Sequence, residues 1–280
     1  MPVRVPIPLR CIEQQAFSDL DFTVMQNVFK SHNRLGRLCD EAIYQNDLVA
    51  RLGAEGFPVE KEVPVTVSHR DFAKQFRLDM VVANAAIYEL KTTSALTSEH
   101  DAQLLHYLFL CGSHHGKLVN LRPPKVKSRF VNATLTLEER RRFQIDRERW
   151  LEGEESDHLF FRTLVGLLED WGTCLELALY VEAICYFLGG EERLAQPVKL
   201  ARDGMDLGSQ RLHLLTRETA FRLTAMPEQR IDYEQSLLAL LCLSPLRAIH
   251  WVNLDRHRVE FVTLTKRQKK EEGRKMEAEK

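Results

Sequence analysis

No stretch of this 280-residue chain is long and apolar enough to read as a membrane span or a secretory leader; Met1 to Arg10 carries prolines and arginines where a leader would need an apolar run. The expectation is a cytoplasmic protein with no membrane contact. Cysteine is sparse and scattered: Cys11, Cys39, Cys111, Cys174, Cys185 and Cys242 include no C-x-x-C pair. That argues against a zinc ribbon and a secreted disulfide framework, and predicts buried, reduced thiols. A surplus of one charge is missing as well, since 39 Lys and Arg face 40 Asp and Glu for a net charge of -1. Such a balance neither marks nor excludes a nucleic-acid partner, because local patches rather than totals set phosphate contact.

What is present is enough apolar material, 44% of residues, for one sizeable core or two smaller ones. Within it, Phe76 to Val82 reads as a strand and Ala86 to Lys91 as its antiparallel neighbour across a short Asn84-Ala85 turn. Strand alternation sets Glu89 and Lys91 on one face and Leu90 on the other. The hairpin can therefore gather Asp79, Glu89 and Lys91, with the Leu90 carbonyl as a further oxygen. Hydrolysing a phosphodiester calls for hard oxygen ligands around a divalent cation and a group that orients or deprotonates the attacking water. The three residues also fit a plain ion-pair cluster on a sheet face, so this spacing is a weak signal by itself.

The neighbouring motifs make it stronger. Leu35-Gly36, Glu41-Ala42-Ile43-Tyr44, the run Gly56 to Val65, Phe76-Arg77-Leu78-Asp79, Ile87-Tyr88-Glu89-Leu90-Lys91 and Ala102 to Leu108 follow one another in order and spacing. Over about residues 20–132 the chain resembles the GxxExxY family of the PD-(D/E)xK nuclease superfamily. The resemblance implies that Asp79 and Glu89 are the principal metal ligands, that Glu41 on the first helix adds a direct or outer carboxylate, and that Lys91 is the catalytic lysine. It implies that Gln103 and Tyr107 form the Q-x3-Y element of a helix beside the sheet, orienting the site or the scissile strand. Mg2+ or Mn2+ is the implied cofactor and nucleic acid, DNA first, the implied partner. Two positions depart from the family pattern: its first named glycine is represented by Leu38 or only by Gly36, and a leucine precedes Asp79 where the superfamily name has proline.

Other polar residues have plainer readings. Gln103 and Tyr107 share a helix face, which suits a hydrogen-bonded pair or a site wall. His100 and His106 lie on different faces and read as surface or supporting groups. Arg122, Lys125, Lys127 and Arg129 fit a solvated loop or a substrate-contacting rim. The Arg and Glu alternation from Glu138 to Glu154 predicts a salt-bridged exposed helix.

The second half repeats the order of the first. Trp171 to Tyr180, Gln196 to Leu200, Gln210 to Leu215, Thr219 to Thr224, a leucine-rich helix opening at Tyr233, Trp251-Val252-Asn253-Leu254 and Arg258 to Leu264 read as a decayed copy, the alternative being an unrelated α+β domain whose element order matches by accident. His213 then stands for the Asp, Arg222 for the Glu and Thr224 for the Lys, with Glu176 and Gln235 retained. Such a copy holds no cation. A pseudo-dimer partner, a nucleic-acid platform or a docking surface for a protein partner would be its use.

The expected architecture is α/β: a restriction-endonuclease-like mixed sheet of four or five strands flanked by helices, duplicated as an active copy in residues 1–135 and a degenerate copy in 136–265, with a charged tail at 266–280. The expected activity is metal-dependent hydrolysis of phosphodiester bonds, and the alternative is a noncatalytic nucleic-acid- or protein-binding module on a nuclease-like fold.

Overall fold

The computed structural model describes residues 2–266, so all but the first residue of the charged tail lies outside the described residues. The chain divides into two units, Met1–Glu139 and Arg140–Lys280.

In the first unit α1 (Gln14–Leu35) and α2 (Glu41–Ala54) precede a hairpin of β2 (Val59–His69) and β3 (Phe72–Val82). Strand β4 (Ala86–Lys91), helix α3 (Ser98–Cys111), β5 (His115–Asn120) and β6 (Lys127–Asn132) follow, and the two-residue β1 (Val3–Arg4) pairs at the other edge. The sheet runs in the order β1-β2-β3-β4-β5-β6, six strands where four or five were expected. Only β4 and β5 are parallel, and α3 supplies the crossover between them. Phe17, Val24 and Val28 of α1 and Tyr44, Leu48 and Leu52 of α2 pack on Met80, Val82, Tyr88, Leu90 and Val119 of the sheet. Beneath them Asp21 Oδ2 meets Lys117 Nζ at 2.5 Å, a buried pair that Tyr88 joins through a 3.2 Å bond to Oδ1.

The second unit contains β7 (Gln144–Arg149), α5 (Glu155–Trp171), α6 (Leu177–Phe187), the single turn α7 (Glu191–Leu194), β8 (Ala195–Arg202), β9 (Met205–Leu214), β10 (Thr219–Thr224), α8 (Arg230–Leu243), β11 (Ala248–Leu254) and β12 (Arg258–Thr265). A short helix α4 (Leu137–Arg141) stands at the join in sequence. Its sheet is ordered β7-β12-β11-β10-β9-β8. From β8 to β12 the pairings are antiparallel, antiparallel, parallel and antiparallel, the same series as β2 to β6.

Specific contacts repeat along with the topology. Tyr44 donates to the Gly36 carbonyl at 2.5 Å, and Tyr180 donates to Gly172 at 2.5 Å. Asn120 clasps the backbone of Thr93 through both amide atoms, as Asn253 clasps Met226. The pairing of a helix aspartate with a basic sheet residue recurs as Asp157 and His250, 3.1 Å apart. Strand register fixes the remaining equivalences: Lys91 and Thr224 lie opposite Asn120 and Asn253, so Glu89 corresponds to Arg222 and Tyr88 to Phe221. Met80 faces Tyr88 as His213 faces Phe221.

Several expectations need correction. His213 occupies the place of Met80, and Leu212 that of Asp79. The shared Gly-to-Tyr spacing puts Leu177 in the place of Glu41, with Glu176 one residue earlier. Of the stretch Glu138 to Glu154 only the part up to Arg141 is helical, in α4; Gln144–Arg149 form β7, which adds parallel to β12 with Ile145 opposite Val259. Arg140 is buried, its guanidinium donating to the Trp171 and Thr173 carbonyls at 2.7 and 2.9 Å. Of the six free cysteines only Cys185 is buried; Cys11 and Cys242 are exposed. No helix among the described residues is long and apolar enough to cross a membrane.

Candidate active site

The first unit's sheet is irregular at Asp79. Pairing of β2 with β3 passes from Lys61↔Met80 to Val63↔Leu78, omitting Glu62 and Asp79, and Glu62 has φ 52°, a backbone region costly for a non-glycine residue. Pairing of β3 with β4 covers only Met80↔Tyr88 to Val82↔Ala86. The ladder to β4 therefore ends before Asp79, and the ladder to β2 skips it and resumes at Leu78. Phe76 packs its ring 4.8 Å from His106 of α3, whereas Met80 sits in the α1 and α2 core. Two positions of equal parity pack against different helices, so β3 changes face across this irregularity.

The Asp79 side chain fills the gap between the strands. Its Oδ2 accepts a 2.8 Å hydrogen bond from the Leu90 amide, which anchors the carboxylate beside β4. Tyr88 and Leu90 point into the core, so alternation sends Glu89 and Lys91 the other way. Lys91 Nζ donates to Glu89 Oε1 at 2.7 Å. The second oxygen, Oε2, is buried and receives no hydrogen bond from a donor of the protein, while the Asp79 carboxylate lies within hydrogen-bonding reach of the Glu89 side chain. Glu41 enters from the first turn of α2, the second helix of the chain rather than the first.

Electrostatics tie the four residues together. Burial, with Asp79 next, pushes the Glu41 carboxyl up to about 7. Burial also raises Asp79 and Glu89; Glu89 is raised further by Asp79 and held back by Lys91. Burial lowers Lys91, but the carboxylates of Glu89, Asp79 and Glu41 outweigh it and hold the ammonium above its ordinary range. Three carboxylates crowd one cation, and a buried carboxylate oxygen lacks a donor. A hard divalent cation fits this donor set.

Gln103 and Tyr107 are joined on α3 by a 3.1 Å bond from Nε2 to the phenol oxygen, and Tyr107 packs near Phe76. His100 completes the capping box of α3 with Thr97, while His106 is buried. Among the basic residues after β5, Arg122 is used to hold the Thr92 and Arg37 carbonyls, and Arg129 pairs with Asp101. Lys125 and Lys127 are exposed. The residue that sequence reasoning passed over is Glu62, whose charge raises both Asp79 and Glu41 and whose Oε1 accepts from Gln45 at 3.2 Å. Its only signal was its place within the run Gly56 to Val65.

A six-stranded mixed sheet flanked by helices in each unit is consistent with a restriction-endonuclease-like fold. Residues 18–131 match the family model of the PD-(D/E)XK nuclease superfamily, and the matched segment lies wholly in the first unit. No curated protein and no solved structure matches the chain.

Proposed function

We propose that the first unit is a metal-dependent nuclease that hydrolyses phosphodiester bonds, with DNA as its substrate and Mg2+ or Mn2+ as its ion. The observation that carries the reading is the convergence of Asp79, Glu89, Glu41 and Lys91 at a break in the sheet, with Glu89 Oε2 buried and without a donor. Asp79 and Glu89, with Glu41 and the Leu90 carbonyl, would hold the ion. When bound, it supplies positive charge against the phosphate and lowers the pKa of water. The Leu90 amide fixes Asp79, and Glu89 fixes Lys91. Lys91 presents its ammonium to orient the attacking water and to offset charge on the phosphoryl oxygens. The Gln103–Tyr107 pair would orient the scissile strand, and exposed Lys125 and Lys127 would meet its phosphates.

We infer that the second unit is a diverged copy that keeps the fold and has lost the chemistry. At the places of Glu41, Asp79, Glu89 and Lys91 it carries Leu177, Leu212, Arg222 and Thr224, a set with no carboxylate. A surface for nucleic acid or for a protein partner is the use proposed for it. The whole reading is tested by cleavage of single- and double-stranded DNA with and without Mg2+. Activity absent without metal and lost in both Asp79→Ala and Lys91→Ala is expected. Undiminished cleavage in the variants would remove the site assignment, and metal-independent retention of DNA without cleavage would favour a noncatalytic binding module.

A further inference from the structure

The second unit brings together a thiol, a carboxylate and an imidazole that the proposed nuclease chemistry does not use. Cys185 on α6, Glu191 on α7 and His213 on β9 place one ligand atom each within 4.8 Å of the others. Cys185 is 1% exposed, so its sulfur forms the floor of the cluster. Glu191 is exposed and His213 half-buried at the mouth, with His213 Nε2 3.5 Å from Glu191 Oε1. The imidazole is braced by the Phe221 ring, 5.3 Å away between centroids. In the first unit the strand position equivalent to His213 is held by core Met80. The second unit carries an imidazole where the first carries a packing residue.

We infer that Cys185, Glu191 and His213 form a zinc site in the second unit, with a fourth position open to water. The donor set decides the metal. Thiolate with imidazole selects Zn2+ over Mg2+ or Mn2+, whereas the four-oxygen set of the first unit does the reverse. Ligands at zinc distances on a tetrahedron lie roughly 3.3–3.8 Å apart, a range the His213–Glu191 pair already meets at 3.5 Å, and the widest separation, within 4.8 Å, needs to close by no more than about 1 Å. The exposed Glu191 side chain has that freedom; Arg211 Nη2, 3.8 Å from its Oε1, is the cation it would leave. Binding would tie helix α6 and turn α7 to strand β9, three elements brought together by one ion. The site escapes C-x-x-C reasoning because its ligands are scattered in sequence and meet only in the fold.

The test is titration of the full chain with Co2+ as a zinc reporter, in excess Mg2+ to occupy the oxygen site. One equivalent should bind with a thiolate-to-cobalt absorption band, and Zn2+ should displace it. Cys185→Ser should abolish the band. His213→Asn, at a half-exposed position that leaves the floor intact, should weaken Co2+ binding at least tenfold while far-ultraviolet circular dichroism is unchanged. Absence of the band from the parent chain, its persistence in Cys185→Ser, or unaltered affinity in folded His213→Asn would each overturn the assignment. None of these readings depends on nuclease activity.

Discussion

Glu89 divides its carboxylate between two fates: Oε1 accepts Lys91 Nζ at 2.7 Å, while Oε2 is buried and receives no hydrogen bond from a donor of the protein. An unsatisfied buried carboxylate oxygen is costly in the metal-free protein, and a divalent cation relieves that cost only in the native state. Added Mn2+ should therefore raise the apparent unfolding temperature, by an amount corresponding to about 2.7 kcal/mol at a hundredfold excess over Kd. Asp79→Ala and Glu89→Gln should lose the response, and Glu41→Gln should weaken it. Differential scanning fluorimetry with increasing Mn2+ reads all four proteins; an undiminished shift in Asp79→Ala would move the cation elsewhere.

Lys91 separates binding from chemistry. Its contact to Glu89 positions a charge, but an ammonium ligates no cation. Lys91→Met should retain the Mn2+-induced stabilisation and lose cleavage by about 10²- to 10⁴-fold in kcat, the range for one positioned acid, base or charge-stabilising group. Loss of the thermal response together with cleavage would instead make Lys91 a determinant of the fold around the carboxylates.

The Asp79 hairpin was legible because strand signals bracket a short turn and alternation of Glu89 and Lys91 against Leu90 needs no tertiary knowledge. The break in the sheet was not legible, since Glu62 looks like any strand glutamate until its missing pair with Asp79 is seen. The His213 misalignment has a related origin: the ten-residue step from Asp79 to Glu89 leads from Arg222 back to Leu212, and only strand register makes the one-residue difference visible. Glu138 to Glu154 misled through composition. Alternating Arg and Glu suit an exposed helix, yet the same charges serve an edge strand once Ile145 pairs with Val259, and Arg140 finds buried carbonyl acceptors that no sequence window contains.

His250 gives the second unit an acid sensitivity. Burial lowers the imidazole below its ordinary 6.5, and the Asp157 carboxylate reverses this only in part. The folded state thus binds the proton less readily than the unfolded chain. The stability contributed by neutral His250 is present above about pH 6.5 and is lost as pH falls through the lower folded value. Asp157, its carboxyl held below the ordinary 3.8 despite burial by the Glu154 and Gly153 amides and by His250, adds a second loss at still lower pH. Thermal melts from pH 8 to pH 4 should show the first decline in the parent and a flatter profile over pH 7 to 5 in His250→Asn. Superimposable profiles would exclude His250 as its source.

Tyr44 and Tyr180 make the same bond in the two units, so the likeness of the units can be tested energetically at matching atoms. Each phenol donates at 2.5 Å to the carbonyl of the glycine eight residues earlier, closing the segment between α1 and α2 in the first unit and between α5 and α6 in the second. Replacing either tyrosine by phenylalanine keeps the ring and strands a carbonyl. The Tyr180 bond is buried and the Tyr44 bond only partly so. Water can therefore replace the lost donor more readily at Gly36 than at Gly172. Tyr180→Phe should cost about 1–3 kcal/mol in urea unfolding, the desolvation cost of an unmade buried bond, and Tyr44→Phe about 0.5–1.5 kcal/mol. A neutral Tyr180→Phe substitution would mean that this shared contact does not hold the second unit's helix pair, and that its recurrence reflects common geometry without common energetic weight.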